Sequence, residues 1–119
     1  MMDIESLRRF CLSLPHATEG VQWDNDLLFR VGGKMFAVAS LDVTPTRVSF
    51  KCTPEKFAEL VEQEEITPAA YMARIHWVTL HRLDALNERE TKELIRESYG
   101  MVWEKLTKKL RAELEAGKH

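Results

Sequence analysis

Cysteine is scarce in this chain: two of 119 residues, Cys11 and Cys52. They stand far apart, each inside an apolar pattern. They read as reduced core thiols and offer no disulfide framework. Long apolar runs are missing too, and none approaches the roughly 20 residues that cross a bilayer. The opening Met1-Met2-Asp3-Ile4-Glu5 lacks the basic and apolar regions of a signal peptide. The expected location is the cytoplasm, with no membrane partner. A large charge of one sign is also absent, with 17 Lys and Arg against 19 Asp and Glu, a formal net of -2. That weighs against a dedicated, high-affinity DNA binder, which is usually basic overall. It leaves room for a local basic face, because attraction to phosphate acts over about a Debye length. With five glycines and four prolines, the chain shows no linker, repeat or low-complexity stretch.

What is present suits one globular domain over residues 1–119. Hydrophobic residues make up 45% and charged residues 30%, far from the composition of disordered chains. Asp3 can cap a first helix, with Ile4, Leu7, Cys11 and Leu14 on its apolar face and Pro15 stopping it. Leu27, Phe29 and Val31 alternate with Leu28 and Arg30. Gly32-Gly33 then signals a two-residue hairpin turn, and Lys34–Leu41 returns. That register sets Val31 opposite Lys34 and Phe29 opposite Phe36 on one face, with Arg30 and Met35 on the other. Residues Arg47 to Cys52 alternate as a half-buried antiparallel strand. Thr53-Pro54 opens a helix to about Val61, and Thr67-Pro68 a short helical turn to Arg74. His76–Leu80 reads as a strand. Asn87 starts a long helical end, with a bend expected near Ser98–Gly100. This order predicts an α+β fold, one antiparallel sheet with helices packed on one face.

Catalytic and metal chemistry find little support. His76 and His81 are five apart, so a strand would send them to opposite faces. His16 follows a proline and His119 is terminal. Neither cysteine has the polar surroundings of a reactive thiol. Glu88, Glu90, Glu93 and Glu97 alternate with Arg89, Lys92 and Arg96, as on a solvated helix face. Gly32-Gly33-Lys34 lacks the loop length and following Ser or Thr of a phosphate loop. No enzyme activity, metal or cofactor is expected.

The remaining signal is a set of cations on or near the sheet: Arg30, Lys34, Arg47, Lys51, Arg74 and Arg82. Arg and Lys on a sheet face or hairpin tip can contact phosphate oxygens, and Trp77 beside them could stack on a base. The plain alternative is solubilising residues and edge guards. Lys105, Lys108, Lys109 and Arg111 make the helical end basic as well, which suits the negative end of a helix.

Leu7-Arg8-Arg9-Phe10, Leu12-Ser13-Leu14-Pro15, Thr18-Glu19, Trp23 and Phe29 through Ala37 together resemble the MmcQ/YjbR family. Val48-Ser49-Phe50-Lys51, His76-Trp77-Val78 and Glu97-Ser98-Tyr99 continue the resemblance over nearly the whole chain. It implies a fold similar to the frataxin-like, CyaY-like α-β-α arrangement, with a double-wing DNA-binding motif and no catalytic residues to carry over. Lys34, Lys51 and Trp77 match the family's basic and aromatic points. The acidic first helix that iron binding would need is missing, since Arg8 and Arg9 sit beside Asp3 and Glu5. The leading expectation is a non-catalytic nucleic-acid-binding protein, with DNA as partner, using Arg30, Lys34, Arg47, Lys51, Arg74, Trp77 and Arg82. The alternative is a protein-interaction or small-ligand module, favoured by an apolar sheet face or by a pocket between sheet and C-terminal helix.

Overall fold

The computed structural model describes residues 2–22, 25–70 and 72–117. Trp23 and His119, named above, lie outside the described residues. Helix α1, Ile4–Ser13, starts on a capping box: Asp3 accepts from the Ser6 N–H, and Ser6 Oγ accepts from the Asp3 N–H. Leu7 and Cys11 are its buried face. Strand β1, Thr18–Gln22, is not announced by the sequence pattern, because Val21 is its only apolar side chain. A forked pair from Arg8 to both oxygens of Glu19, at 2.7 and 2.6 Å, ties this edge strand to α1.

Strands β2 (Asp26–Val31) and β3 (Lys34–Ser40) form the expected hairpin, and Gly32 and Gly33 take φ of 58° and 80°. The register differs from a plain two-residue hairpin. Arg30 opposes Met35 and Val31 opposes Lys34, but Phe29 opposes Ala37, because a bulge intervenes. The bulge lets Phe36 and Ala37, neighbours in sequence, both turn into the core. Strand β4, Arg47–Lys51, follows. Helix α2, Pro54–Leu60, is capped by Thr53 as expected. Thr67-Pro68 does not begin a helical turn. Ile66–Pro68 is a short edge strand, β5, and only Ala73–Ile75 is helical, as a 3-10 turn. An edge position tolerates the missing N–H of Pro68, and Ile66 is buried in the core. Strand β6 is Trp77–Leu80.

The strands lie in the order β1-β2-β3-β4-β6-β5, and every pairing is antiparallel. Helix α3, Glu88–Lys105, runs unbroken through Gly100, so the expected bend is not there. Buried Ser98 and Val102 hold the helix on either side of that glycine. The break comes at Leu106, where Thr107 caps α4, Lys108–Glu115.

Helices α1 and α3 share one face of the sheet. Their apolar residues pack with Phe29, Phe36, Val48, Phe50, Val78 and Leu80 in a single core. The β2–β3 hairpin is anchored at its tip rather than projecting freely. A Cβ at Gly32 would stand 2.7 Å from Leu106 Cδ1 and 3.2 Å from Leu110 Cδ2, whereas one at Gly33 meets nothing within 4 Å. Gly32→Ala is therefore expected to cost about 2–3 kcal/mol and Gly33→Ala about 1, from backbone strain with and without collision. Urea denaturation of the two variants checks this, and equal losses would contradict the packing contact.

Candidate nucleic-acid interface

The face of the sheet opposite α1 and α3 takes every second strand residue. Register places Asp26, Ser40 and Arg47 in one row across β2, β3 and β4. The next row runs Gly20, Leu28, Val38, Ser49, Thr79 and Thr67. The last row holds Thr18, Arg30 and Met35 on one side, and Lys51 with Trp77 on the other. Three of the expected cations, Arg30, Arg47 and Lys51, thus share one face. Two strand spacings put Arg30 roughly 10 Å from the Lys51 position, and four residues put Arg47 roughly 13 Å from it. Gly20 makes room for Arg30, whose Nη1 would lie 3.1 Å from a Cβ there.

The chain after β5 folds back over part of this face. Ala69 donates its N–H to the Trp77 carbonyl at 3.0 Å, and Trp77 donates its own to Met72 at 3.2 Å. Trp77 is left 3% exposed, packed with Leu28, Val38 and Ala69. It cannot stack on a base, so that expectation is corrected: the aromatic-rich strand residue is the centre of a small second core. Arg74 is exposed on the 3-10 turn that follows the covering chain.

The other cations do not join. Arg82 forks onto Asp84 with two bonds of 3.0 Å. This pairing holds the Asp84 carboxyl below its usual range. Lys34 is exposed at the hairpin tip but opposes Val31, which belongs to the helix-covered face. Among the described residues, Arg30, Arg47, Lys51 and Arg74 take part in no ion pair. Asp26 is the acidic side chain among the described strand positions of the open face.

Beside Arg47 on this face lies a hollow of about 510 Å³. Ala69 and Met72 of the covering chain stand over it, and Met35 and Val38 are the apolar part of its floor on the sheet. Ser40, Ser49 and Thr79 give it a polar floor, with Asp26 and Arg47 at one end. Ser49 and Thr79 share a hydroxyl hydrogen bond of 2.8 Å across β4 and β6. A second cleft of about 710 Å³ opens between the end of β4 and α3, lined by Pro54, His76, Met101, Glu97, Glu104 and Lys51, which borders this cleft as well as the open face that register gives it.

One buried polar residue is missed by a reading of the sequence for sites. Ser98 is fully buried in α3, accepts the Lys51 N–H at 3.0 Å and donates to the Phe36 carbonyl at 2.7 Å. The β3–β4 ladder ends at Ala37–Phe50. Ser98 spans the rung where Phe36 and Lys51 would otherwise meet, so a helix hydroxyl fixes the strand end that bears Lys51. Within Glu97-Ser98-Tyr99, only a lone serine on the apolar side of a helix hints at this.

The thiols are inert by position. Burial pushes Cys11 up to about 12, and burial with nearby Glu97 pushes Cys52 up to about 11. Neither is expected to react with a disulfide reagent at pH 8 in the folded protein, and both should react on unfolding. A fast native reaction at either would contradict the burial. Among the described residues there is no cluster of three metal-ligating side chains. Among the described residues, no helix is long and apolar enough to cross a membrane.

Comparison with known proteins agrees with this architecture. The family model described as YjbR matches residues 12–101. The uncharacterised protein YbdF of Escherichia coli O157:H7 is 27% identical over 112 residues, covering 88% of each chain. The crystal structure of Deinococcus radiodurans protein DR2400, with domain DUF419, is 34% identical. It superposes at a TM-score of 0.86 over 100% of this chain and 91% of that one. A Pseudomonas syringae protein shares the fold at 20% identity, with a TM-score of 0.69 over 85% of this chain and 99% of the other.

Proposed function

The chain belongs to the YjbR family, and on that scaffold we propose a non-catalytic nucleic-acid-binding module that holds phosphates with Arg30, Arg47, Lys51 and Arg74. One observation supports this reading above the rest. The first three of these cations stand on the sheet face that α1 and α3 leave open, and none is committed to a carboxylate. Side chains so placed are available to anions, unlike Arg82 on Asp84.

The mode of binding follows from what the face holds. Phosphate contacts position a protein without reading sequence. With Trp77 buried, aromatic stacking from that residue adds nothing. Binding is then weak, tolerant of sequence and sensitive to salt, in the range of about 10⁻⁴ to 10⁻⁶ M for non-specific contacts. The hollow beside the cations favours a second reading, a small-ligand module, since its volume of about 510 Å³ is that of ordinary ligand pockets.

Fluorescence-anisotropy titration of labelled oligonucleotides in low salt tests the proposal. Saturable binding, reversed by added salt, is the expected result. No binding in low salt would remove the nucleic-acid reading and leave the small-ligand one.

A further inference from the structure

Arg47 lines the hollow and Arg30 pairs with Met35 of its lining, and this arrangement bears on which form of nucleic acid the face accepts. We infer that the hollow receives one unstacked base of a single strand while Arg47 at its end, with Arg30 and Lys51 farther along the face, holds its flanking phosphates; this rests on the nucleic-acid reading above. The walls are suited to a flat, polarisable ring. Met72 on the covering chain and Met35 on the sheet offer thioethers, which make favourable contacts with aromatic rings, with Ala69 beside the first and Val38 near the second. The floor is suited to a base edge. Ser40, Ser49 and Thr79 supply hydroxyls that both donate and accept, and the Ser49–Thr79 hydrogen bond leaves each oxygen further capacity.

A duplex cannot fill such a slot as it stands. Its bases are paired and stacked, and extruding one costs energy that a single strand does not spend. The covering residues Ala69, Ala70 and Met72 raise one wall of the hollow above the sheet. A rigid duplex resting on Arg30, Arg47 and Lys51 would therefore leave the hollow empty. A single strand gains a buried base in addition to the same phosphate contacts.

Anisotropy titrations with a labelled oligo-dA strand, alone and annealed to oligo-dT, test the inference in one low-salt buffer. The single strand is expected to bind about tenfold tighter, the order that two thioether contacts with one ring give. Ala70 is exposed at the lining of the hollow, so Ala70→Ile narrows the mouth at little risk to the fold. It should abolish the single-strand preference while leaving duplex affinity and the unfolding midpoint unchanged. Equal affinity for the two forms, or a preference that survives Ala70→Ile, would overturn the base pocket and leave phosphate binding standing. Failure of both forms to bind would overturn the nucleic-acid reading and the pocket with it.

Discussion

Ser98→Ala is expected to lower the stability of this protein by about 2–4 kcal/mol, because two buried backbone groups lose their partner together. The Ser98 hydroxyl takes the Lys51 N–H at 3.0 Å and gives its proton to the Phe36 carbonyl at 2.7 Å. The β3–β4 ladder ends at Ala37–Phe50, so Phe36 and Lys51 do not pair with each other and removal of the hydroxyl leaves both groups without it. An unsatisfied buried donor or acceptor costs about 1–3 kcal/mol. Whole domains are stable by only about 5–15 kcal/mol. At this size each kcal/mol moves the midpoint by roughly 4 °C, so a fall of roughly 10 °C is expected in thermal melts.

The control is Thr91, the other fully buried polar side chain of α3. Its hydroxyl donates to the Asn87 carbonyl at 3.1 Å, but that carbonyl already accepts the Thr91 N–H at 3.0 Å. Thr91→Val strands no backbone group and is expected to cost under about 1 kcal/mol. Equal losses for the two variants would show that burial, not the bridged rung, sets the Ser98 effect.

Neutralising Arg30, Arg47 and Lys51 together, each to Gln, is expected to weaken nucleic-acid binding at least about a hundredfold near 50 mM salt, since each phosphate contact draws on counterion release. The long stems are kept, so packing changes little. Arg47 is exposed and Arg30 and Lys51 are half-buried, and the unfolding midpoint should move little. Lys34→Gln and Arg82→Gln serve as matched controls. Each carries the same single positive charge as any one of the three, but Lys34 belongs to the other face by register and Arg82 is held by Asp84. If either control weakens binding as much as removal of an open-face cation, general charge and not position governs the interaction.

Much of the fold can be read from local pattern, and the failures have local causes. Gly32-Gly33, the alternation Val48-Phe50-Cys52, the Thr53-Pro54 start and the Asn87 cap all express short-range preferences that the tertiary structure respects. β1 has one apolar residue, Val21, because it is an edge strand that contributes little to the core. The hydrogen bond that takes up the Phe36 carbonyl comes from a serine 62 residues away, which no window along the chain can contain. Gly100 invites a bend, but packing of Ser98 and Val102 on the sheet overrides the weak helix preference of glycine.

The candidate site was legible in residue type and less so in partnership. Alternation alone places Arg30 on one face and Arg47 with Lys51 on another strand's polar face, and pairing unites them. Arg82 falls away because Asp84 turns back to it within a short loop. Trp77 sits on the polar side of its strand by alternation, which suggests exposure. Its burial depends on Ala69 and Met72 returning across the sheet, a long-range event without a local signature.

The salt dependence of binding tests the central claim most directly. Four phosphate contacts, from Arg30, Arg47, Lys51 and Arg74, call for a slope of log K on log salt of about -3.6 on duplex DNA, so doubling the salt lowers affinity about twelvefold. In the triple Gln variant the slope should shrink to about -0.9, less than a twofold change on doubling. A slope that stays the same in that variant, or one near zero in the parent, would contradict a phosphate-binding role for the open sheet face.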